Sequence, residues 1–323
     1  MVNGGESRAG DYSPPIERLI PPELAGMRLD QALARMFPEH SRSRLAAWVR
    51  AGRVTVDAAR AQAKRKVWGG ERVAVIGTRA PDEEPYRAEI IPLAIVHEDD
   101  ALIIVDKPAG LVVHPAAGNW TGTLANALLA HEPRLAAVPR AGIVHRLDKD
   151  TTGLLAVAKT PTAHTHLVRQ LAARAVKREY LAVVNGVVAS DGEIDAPIGR
   201  HPTARTRMAV TARGKPARTR YRVVERLTDA TLLAVNLETG RTHQIRVHMR
   251  AIGHPLIGDA TYGQRTGATL ARFPRQALHA ARLAFTHPAT GKAREWHSPL
   301  PADMRALVER LRASNRMPHG RSR

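Results

Sequence analysis

Apolar residues recur along this chain at two different spacings, and together they predict a mixture of helices and strands. Near the start of the chain, Leu29, Leu33 and Phe37 recur every four residues, which places them on one face of a helix. The alternating run Val54-Thr55-Val56 predicts a strand, and a second strand is predicted over residues 72–76. These elements indicate a small domain that contains both helix and sheet.

The longer remainder of the chain has patterns typical of buried strands and one-sided helices. Residues 101–105 and 154–158 are uninterrupted apolar runs, which predict buried strands. Between residues 160 and 172, apolar positions at helical spacing follow a Thr-Pro pair that is typical of a helix start. Residues 221–227 and 231–237 are predicted to form antiparallel strands joined by a short turn.

Segments poor in apolar residues give the predicted domain boundaries. Residues 1–20 are expected to be a flexible tail, and residues 78–88, with prolines and charges of both signs, are expected to be a linker. Residues 314–323 are predicted to be a basic tail. Two folded domains remain, over residues 21–77 and 89–313.

Composition is that of a globular protein: hydrophobic residues make up 44 % of the 323 positions. No stretch approaches the roughly 18 uninterrupted apolar residues of a membrane-spanning helix. The first residues carry both acidic and basic side chains and resemble neither a signal peptide nor a transit peptide, so the simplest expectation is a cytoplasmic protein.

The chain contains no cysteine, which excludes disulfides, thiolate zinc sites and thiol nucleophiles. His243, His248 and His254 are spaced five and six residues apart, which does not match a pair of metal ligands one helical turn apart. We therefore predict neither a metal site nor a cofactor.

The charge balance predicts a polyanionic partner. Lys and Arg total 49 against 30 acids, for a formal charge of +19, and each phosphate neutralised by such cations adds salt-dependent affinity. Between residues 42 and 66, cations far outnumber acids and are predicted to contact RNA; they include Arg42, Arg44, Arg53 and Lys64. A second basic segment over residues 200–220 is predicted to lie along phosphates. Solubility alone is a weaker explanation, because either sign of charge provides it.

One polar stretch between apolar runs is a candidate for chemistry. Asp148 lies between Gly142 and Gly153, and such glycines usually mark a backbone that turns sharply or is closely approached. A carboxylate on a loop held against a buried strand can be positioned rigidly for catalysis. An Asp can equally serve only to cap a turn, and composition alone does not separate the two interpretations.

The order of residues around Asp148 is more specific. The sequence His145-Arg146-Leu147-Asp148, followed by Thr-Thr-Gly-Leu-Leu, resembles the catalytic signature of the RluA family of pseudouridine synthases, which isomerise uridine to pseudouridine in structured RNA. The resemblance implies that Asp148 is the catalytic carboxylate. Two later segments resemble further family motifs, and they imply that Tyr180 packs against the target base and that Arg246 pairs with Asp148.

The same resemblance implies RNA contacts near the catalytic residue. Arg146 corresponds to the residue that fills the space left by the flipped base, although a plain phosphate contact is the alternative. His145 and Arg241 are also predicted to contact RNA. For Tyr180, the alternative is a half-buried strand aromatic without a role in binding. The carboxylate of Asp148 could add to the sugar or take a proton from it, and the sequence leaves both routes open.

The first domain resembles the small RNA-binding domain called the S-four domain, through segments beginning at Arg28, Ser41 and Gly52. One departure is Asp57-Ala58, where the family usually has Asn-Gly or Asp-Gly. Since alanine is poor at positive φ, we expect a longer or different turn there.

Together the resemblances imply an α+β protein: a small helical and β RNA-binding domain, then a catalytic domain built on a mixed, largely antiparallel sheet flanked by helices. The predicted function is uridine isomerisation in large-subunit ribosomal RNA by a monomer whose partner is RNA. The alternatives are a transfer-RNA synthase and a non-catalytic ribosome-assembly factor. A hydrolase that uses Asp148 as a general base is less well supported, because no partner carboxylate or nucleophile motif accompanies it.

Overall fold

Two units make up the protein, residues 1–85 and residues 86–323. The computed structural model describes residues 15–38, 42–76, 87–115, 119–204, 206–263 and 273–316, except for the side chains of residues 43, 44 and 314–316. Most of the predicted linker and the end of the basic tail therefore lie outside the described residues. Among the residues described, no helix is both long enough and apolar enough to cross a membrane.

The first unit packs two helices against a four-stranded antiparallel sheet of order β1-β4-β2-β3. The predicted helical face is buried, since Leu29, Leu33 and Phe37 have no exposed surface. The elements are β1 (Ile16–Leu19), α1 (Leu29–Met36), α2 (Arg42–Arg50), β2 (Val54–Val56), β3 (Ala59–Arg60) and β4 (Arg72–Val75).

Two predictions for this unit were wrong. Residues 16–19, assigned to a flexible tail, form an edge strand that pairs with β4 from Ile16↔Val75 to Leu19↔Arg72. All four are exposed, so burial left no pattern to find in the sequence. Asp57 and Ala58 form a two-residue turn between β2 and β3 with φ of 51° and 65°, so alanine occupies the position expected of glycine. That conformation is strained for alanine.

The second unit is built on one large sheet. Its strands are β5 (Ile95–Glu98), β6 (Leu102–Lys107), β7 (Thr152–Ala158), β8 (Lys177–Asn185), β9 (Gly192–Asp195), β12 (Arg218–Leu227), β13 (Ala230–Leu237), β14 (Leu278–Thr286) and β15 (Ala293–His297), while β10 (Ile198–Arg200) and β11 (Met208–Val210) form a separate hairpin. Its helices are α3 (Leu124–His131), α4 (Pro161–Ala172), α5 (Gln244–Ala251) and α6 (Ala302–Arg316). Short 3₁₀ turns occur in this unit at Pro133–Ala137 and Pro139–Gly142, and in the first unit at Pro22–Leu24.

The strand order β5-β6-β7-β14-β8-β13-β12-β9, with β15 also paired to β14, confirms the predicted mixed and largely antiparallel sheet. Its single parallel pair among the described strands is β7 with β14, which aligns Thr152 with His279. All seven residues of β7 are buried, as the apolar run predicted. Because parallel strands begin at the same edge, the segments that precede β7 and β14 lie together.

Helix starts were predicted with mixed success. The Thr160 side chain caps α4 by accepting a hydrogen bond from the Ala163 N–H, as the Thr-Pro pair predicted. By residue type, Thr239 or Thr242 would be expected to cap α5, but neither does. His243 occupies the cap position in the left-handed conformation, with φ of 56° and no side-chain cap.

Candidate active site

Asp148 lies on the loop that leads from the 3₁₀ turn at Pro139–Gly142 into β7. Both flanking glycines are closely approached, as predicted. A Cβ atom on Gly142 would lie 2.1 Å from the Ala158 carbonyl oxygen, and one on Gly153 would lie 2.3 Å from that of Ala280. Both also have positive φ, +76° and +110°. The loop therefore packs directly on its neighbouring strands, which fixes the backbone at each end.

Backbone carbonyls of the loop receive hydrogen bonds from two buried cations. The Lys107 ammonium donates to the carbonyl oxygen of Lys149 at 2.7 Å, and also to those of Pro108 and Leu111. The Arg275 guanidinium donates to the carbonyl oxygen of Asp150 at 3.1 Å. These bonds satisfy carbonyls that would otherwise lose water on burial, so they hold the loop in one conformation.

A side chain of the loop itself, His145, binds the neighbouring strand β7. Its Nε2 accepts a hydrogen bond from the Ala156 N–H of β7 at 3.0 Å. Burial lowers the pKa of His145 to about 3, and the nearby charge of Arg178 adds to the shift. The ring is therefore neutral at physiological pH and carries its proton on Nδ1, a buried atom without a partner among the described residues.

Arg246, on the first turn of α5, joins Asp148 to a second carboxylate. Its Nη1 donates to Asp148 Oδ2 at 3.0 Å, while Nε and Nη2 donate to the two oxygens of Asp259 at 2.7 and 2.8 Å. The predicted pairing of Arg246 with Asp148 is thus present. The bidentate contact to Asp259 fixes the guanidinium plane and leaves Nη1 directed at Asp148.

Electrostatics keep Arg246 and Asp259 charged. Burial acts to lower the pKa of Arg246, but the hydrogen bonds and charges of Asp259 and Asp148 outweigh it and raise the pKa above its usual value. Burial likewise acts to raise the pKa of Asp259, and hydrogen bonds from Arg246 and from two backbone N–H groups bring it below its usual value. The ion pair between Arg246 and Asp259 therefore favours the charged form of both partners.

His243 approaches the other oxygen of Asp148. Its Nε2 lies 3.9 Å from Asp148 Oδ1, and its Nδ1 lies 2.8 Å from the Tyr262 hydroxyl. That hydroxyl accepts from the Met208 N–H, so its own proton points to Nδ1. Burial lowers the pKa of His243, which favours a neutral ring with its proton on Nε2, toward Asp148.

Tyr180 lies on β8 at the wall of a cavity of about 740 Å³ that also exposes Asp148 and Arg246. Only 5 % of the tyrosine is exposed, and burial raises its pKa, so the hydroxyl remains protonated at physiological pH. The volume falls in the usual range for ligand cavities, ~300–1,000 Å³. The structure therefore brings together all three residues predicted to be catalytic.

The three RNA-contact residues predicted near Asp148 all line this cavity: Arg146, His145 and Arg241. Arg146 is exposed and free to contact a ligand. Arg241 is half-buried, and its Nε donates to the Pro216 carbonyl oxygen at 3.0 Å. One nitrogen of His145 is engaged within the protein, and the other, Nδ1, is buried.

In the first unit, the predicted RNA contacts differ in their surroundings. Arg42 is exposed but pairs with Asp30 at 2.8 Å, which offsets part of its charge. Lys64 is exposed. Arg53 is half-buried, and its Nη1 is a buried atom without a partner among the described residues. The side chain of Arg44 lies outside the described residues.

The second basic segment is less free than its sequence suggests. Arg218 pairs with Asp195 at 2.5 Å, and Arg220 pairs with Glu193 at 2.6 Å and with Glu238 at 3.0 Å. The segment itself contains no acid, but β9 and the end of β13 supply acids across the sheet. Acids within the protein therefore offset part of the charge of these two arginines, and contact of the segment with phosphates stays a prediction.

Sequence reasoning missed several residues that position the site. Asp259, Tyr262, Lys107 and Arg275 act through Arg246, His243 or loop carbonyls, and their partners are distant in sequence. One local signal was present at Asp259: it follows Gly258, which has φ of +73° and no room for a Cβ. Within the described parts of the chain, no group of His, Cys, Asp and Glu side chains is arranged to hold a metal ion.

Comparison with known proteins follows the same division of the chain. Residues 101–251 match the family model described as RNA pseudouridylate synthase, and residues 27–73 match the S4 domain. Human RNA Pseudouridylate Synthase Domain Containing 1 has a similar structure, with a TM-score of 0.54 and 29 % identity over 70 % of this chain and 97 % of that one. Human RNA Pseudouridylate Synthase Domain Containing 4 has a TM-score of 0.56 and 26 % identity over 68 % of this chain and 93 % of that one.

Relatives with characterised names extend the similarity to nearly the full length. Ribosomal large subunit pseudouridine synthase D of Nitrosomonas europaea is 59 % identical over 94 % of this chain and 89 % of the relative. The protein of the same name from Escherichia coli K12 is 54 % identical over 89 % and 91 %. Identity at this level and over this length places the chain within the family of RNA pseudouridylate synthases.

Proposed function

We propose that this protein isomerises uridines to pseudouridine in large-subunit ribosomal RNA, with Asp148 as the catalytic carboxylate. The hydrogen bond between Arg246 Nη1 and Asp148 Oδ2 is the observation that carries the proposal. It pairs the Asp148 carboxylate with a fixed guanidinium at the wall of a cavity large enough for a nucleotide. The ribosomal substrate is proposed from the names of the relatives.

The reaction breaks the bond between the uracil and the sugar, turns the base and rejoins it through carbon. The reaction involves no net redox change and no activated group donor. The protein must therefore supply a positioned carboxylate, proton transfer and control of the freed base. Asp148 is suited either to add to the sugar or to take a proton from it. The neutral His243 ring, whose Nε2 nitrogen lies 3.9 Å from Asp148 Oδ1, is placed to stabilise this second carboxylate oxygen.

A uridine must leave its stack to reach this cavity, at a cost of a few kcal/mol. Arg146 is exposed beside the catalytic residue and is proposed to occupy the vacated space. Tyr180 is proposed to cover the extruded uracil, where stacking contributes about 1–3 kcal/mol. His145 and Arg241 line the same cavity and are proposed to contact the flanking nucleotides.

Residues 21–77 are proposed to be the domain that binds RNA through exposed cations, and residues 89–313 the catalytic domain. The formal charge of +19 supports a polyanionic substrate. We propose that the protein acts as a cytoplasmic monomer without a cofactor.

The test is to incubate in vitro transcribed large-subunit ribosomal RNA with the protein and to map pseudouridine by chemical modification and primer extension. Transfer RNA and small-subunit RNA, treated in the same way, serve as comparison substrates. New pseudouridines that appear only in the large-subunit RNA, and that are absent with Asp148→Asn, would support the proposal. Modification restricted to transfer RNA would refute the ribosomal assignment, and full activity of Asp148→Asn would refute the catalytic one.

A further inference from the structure

Three arginines are buried among the residues described, and one of them differs from the other two. Arg178, Arg246 and Arg275 are 9 %, 6 % and 7 % exposed. Arg246 pairs with Asp259 and Asp148, and Arg275 makes a bidentate pair with Asp303 at 2.7 and 2.9 Å. No described carboxylate pairs with Arg178, and its buried Nε has no hydrogen-bond partner there.

The acids near Arg178 are bound by other arginines. The cavity that Arg178 lines has two acidic residues in its wall, Asp148 and Glu238. Asp148 is bound by Arg246 at 3.0 Å, and Glu238 is bound by Arg220 at 3.0 Å. Burying a guanidinium without a partner costs free energy. Replacing such an arginine by a neutral side chain therefore usually stabilises the fold. An unpaired arginine in this position therefore points to a ligand that completes it.

The surrounding backbone holds the guanidinium in the cavity wall. Arg178 and Tyr180 are two residues apart on β8, so both side chains lie on the same buried face of the sheet. A Cβ atom on Gly240 would lie only 2.9 Å from Arg178 Nη1. The loop carrying Gly240 thus presses against the guanidinium with no side chain between them.

We propose that Arg178 binds a backbone phosphate of the RNA next to the flipped uridine, and that this phosphate is the anion its site lacks. The inference rests on the proposed function, because it takes RNA as the substrate. A phosphate suits the site because its charge complements the guanidinium and its oxygens match the fork of N–H donors. A uridine that enters the cavity brings its own flanking phosphates with it.

The first test concerns stability and requires no RNA. Arg178→Met replaces the charge by a neutral side chain of similar length, and Arg275→Met is the matched control at a buried arginine that is paired. In urea unfolding of the full chain, we expect Arg178→Met to unfold at a higher midpoint than the wild type and Arg275→Met at a lower one. A lower midpoint for Arg178→Met would mean that Arg178 is a structural residue and would overturn the inference.

The second test locates the phosphate by binding rather than by turnover. RNA fragments carry a single uncharged methylphosphonate at successive positions around the modified uridine. We expect one position to weaken wild-type binding about tenfold and to leave Arg178→Met unaffected, with a salt-dependence slope for Arg178→Met lower by about one. Arg222 is exposed and lies outside the cavity wall, so Arg222→Met is the control variant. Each methylphosphonate should weaken its binding as much as it weakens that of the wild type.

These outcomes separate the inference from the function on which it rests. If every methylphosphonate position weakens Arg178→Met as much as the wild type, Arg178 does not bind a phosphate, even if the wild type makes pseudouridine. If the wild type makes no pseudouridine in any RNA, the proposed function fails on its own assay. The urea unfolding test, which requires no RNA, would still report on Arg178 in that case.

Discussion

Asp148 and Arg246 lie 98 positions apart in the sequence and are joined by a hydrogen bond of 3.0 Å between Asp148 Oδ2 and Arg246 Nη1. The guanidinium is not free to leave, since Asp259 holds its other two nitrogens. This arrangement places the Asp148 carboxylate at a fixed point in the cavity wall before any substrate arrives.

Asp148→Asn should abolish detectable catalysis while leaving RNA binding within about twofold of the wild type. Asn is nearly isosteric and can still accept from Arg246, but it can neither add to the sugar nor take a proton. We expect single-turnover rates to fall by roughly 10²–10⁴-fold, as for loss of a positioned acid or base. The measurement compares the single-turnover rate with the dissociation constant for RNA. A parallel loss of rate and of RNA affinity would contradict a catalytic role.

Asp259→Asn should lower the unfolding free energy by about 3–5 kcal/mol at neutral pH, because it leaves the Arg246 guanidinium without its bidentate partner. Activity should fall as well, since Nη1 is no longer directed at Asp148. Urea unfolding and single-turnover rates check both effects. Unchanged stability would show that Asp148 alone suffices to hold Arg246.

The same pair makes a prediction about pH. The pKa of Asp259 is lower in the folded protein than in the unfolded chain, so the pair stabilises the fold above the ordinary Asp pKa of about 4. That contribution is lost as the pH falls through the lower folded-state value. The stability difference between the wild type and Asp259→Asn should therefore be constant from pH 7 to 5 and shrink below about pH 4. A difference that grows on acidification would contradict this sign.

Lys107→Met should loosen the catalytic loop. The ammonium is fully buried and bonds three carbonyl oxygens, including that of Lys149 next to Asp148. Each carbonyl left unsatisfied costs about 1–3 kcal/mol. We expect a lower melting temperature and a reduced rate with unchanged RNA affinity. Lys149→Met, which keeps the carbonyl and changes only an exposed side chain, is the control and should melt as the wild type does.

Gly153→Ala and Gly110→Ala should separate the cost of backbone strain at positive φ from the cost of a steric clash by the added Cβ. Both glycines have positive φ, +110° and +82°, but a Cβ on Gly153 would meet the Ala280 backbone at 2.3 Å, whereas one on Gly110 would meet nothing within 4 Å. We expect Gly110→Ala to cost about 1–2 kcal/mol and Gly153→Ala roughly 1–3 kcal/mol more. Equal losses would mean that the strand spacing adjusts freely around β7.

Lys64→Gln should weaken RNA binding uniformly across sequences. Lys64 is exposed in the first unit, and loss of one phosphate contact reduces the slope of log affinity against log salt by about one. Filter binding at several salt concentrations measures the slope. Glu23→Gln, which removes an exposed acid of the same unit, should not lower the slope.

The sequence predicted most of what is determined locally. Asp148, Tyr180 and Arg246 were found because each lies in a motif with a fixed order of neighbours, and β7 was found because its apolar run is continuous. Asp259 and Lys107 were not assigned a role, because each acts through a partner brought close only by the folded sheet. Residues 16–19 were missed because a strand exposed along its length carries no burial pattern. The left-handed His243 was missed because the two threonines before it, Thr239 and Thr242, are of a more usual residue type for a cap.

The parallel pairing of β7 with β14 has a consequence for synthesis of the protein on the ribosome. A nascent chain that ends before residue 275 already contains Asp148, Tyr180 and Arg246, but it lacks the donors of Arg275 and Gln276 that fix the catalytic loop. Contacts between residues so distant in sequence form late, because closing a long loop is entropically unfavourable. A chain truncated at that point would retain the cations of its first unit without these contacts to the loop. The loop that carries Asp148 therefore gains them only near the end of translation.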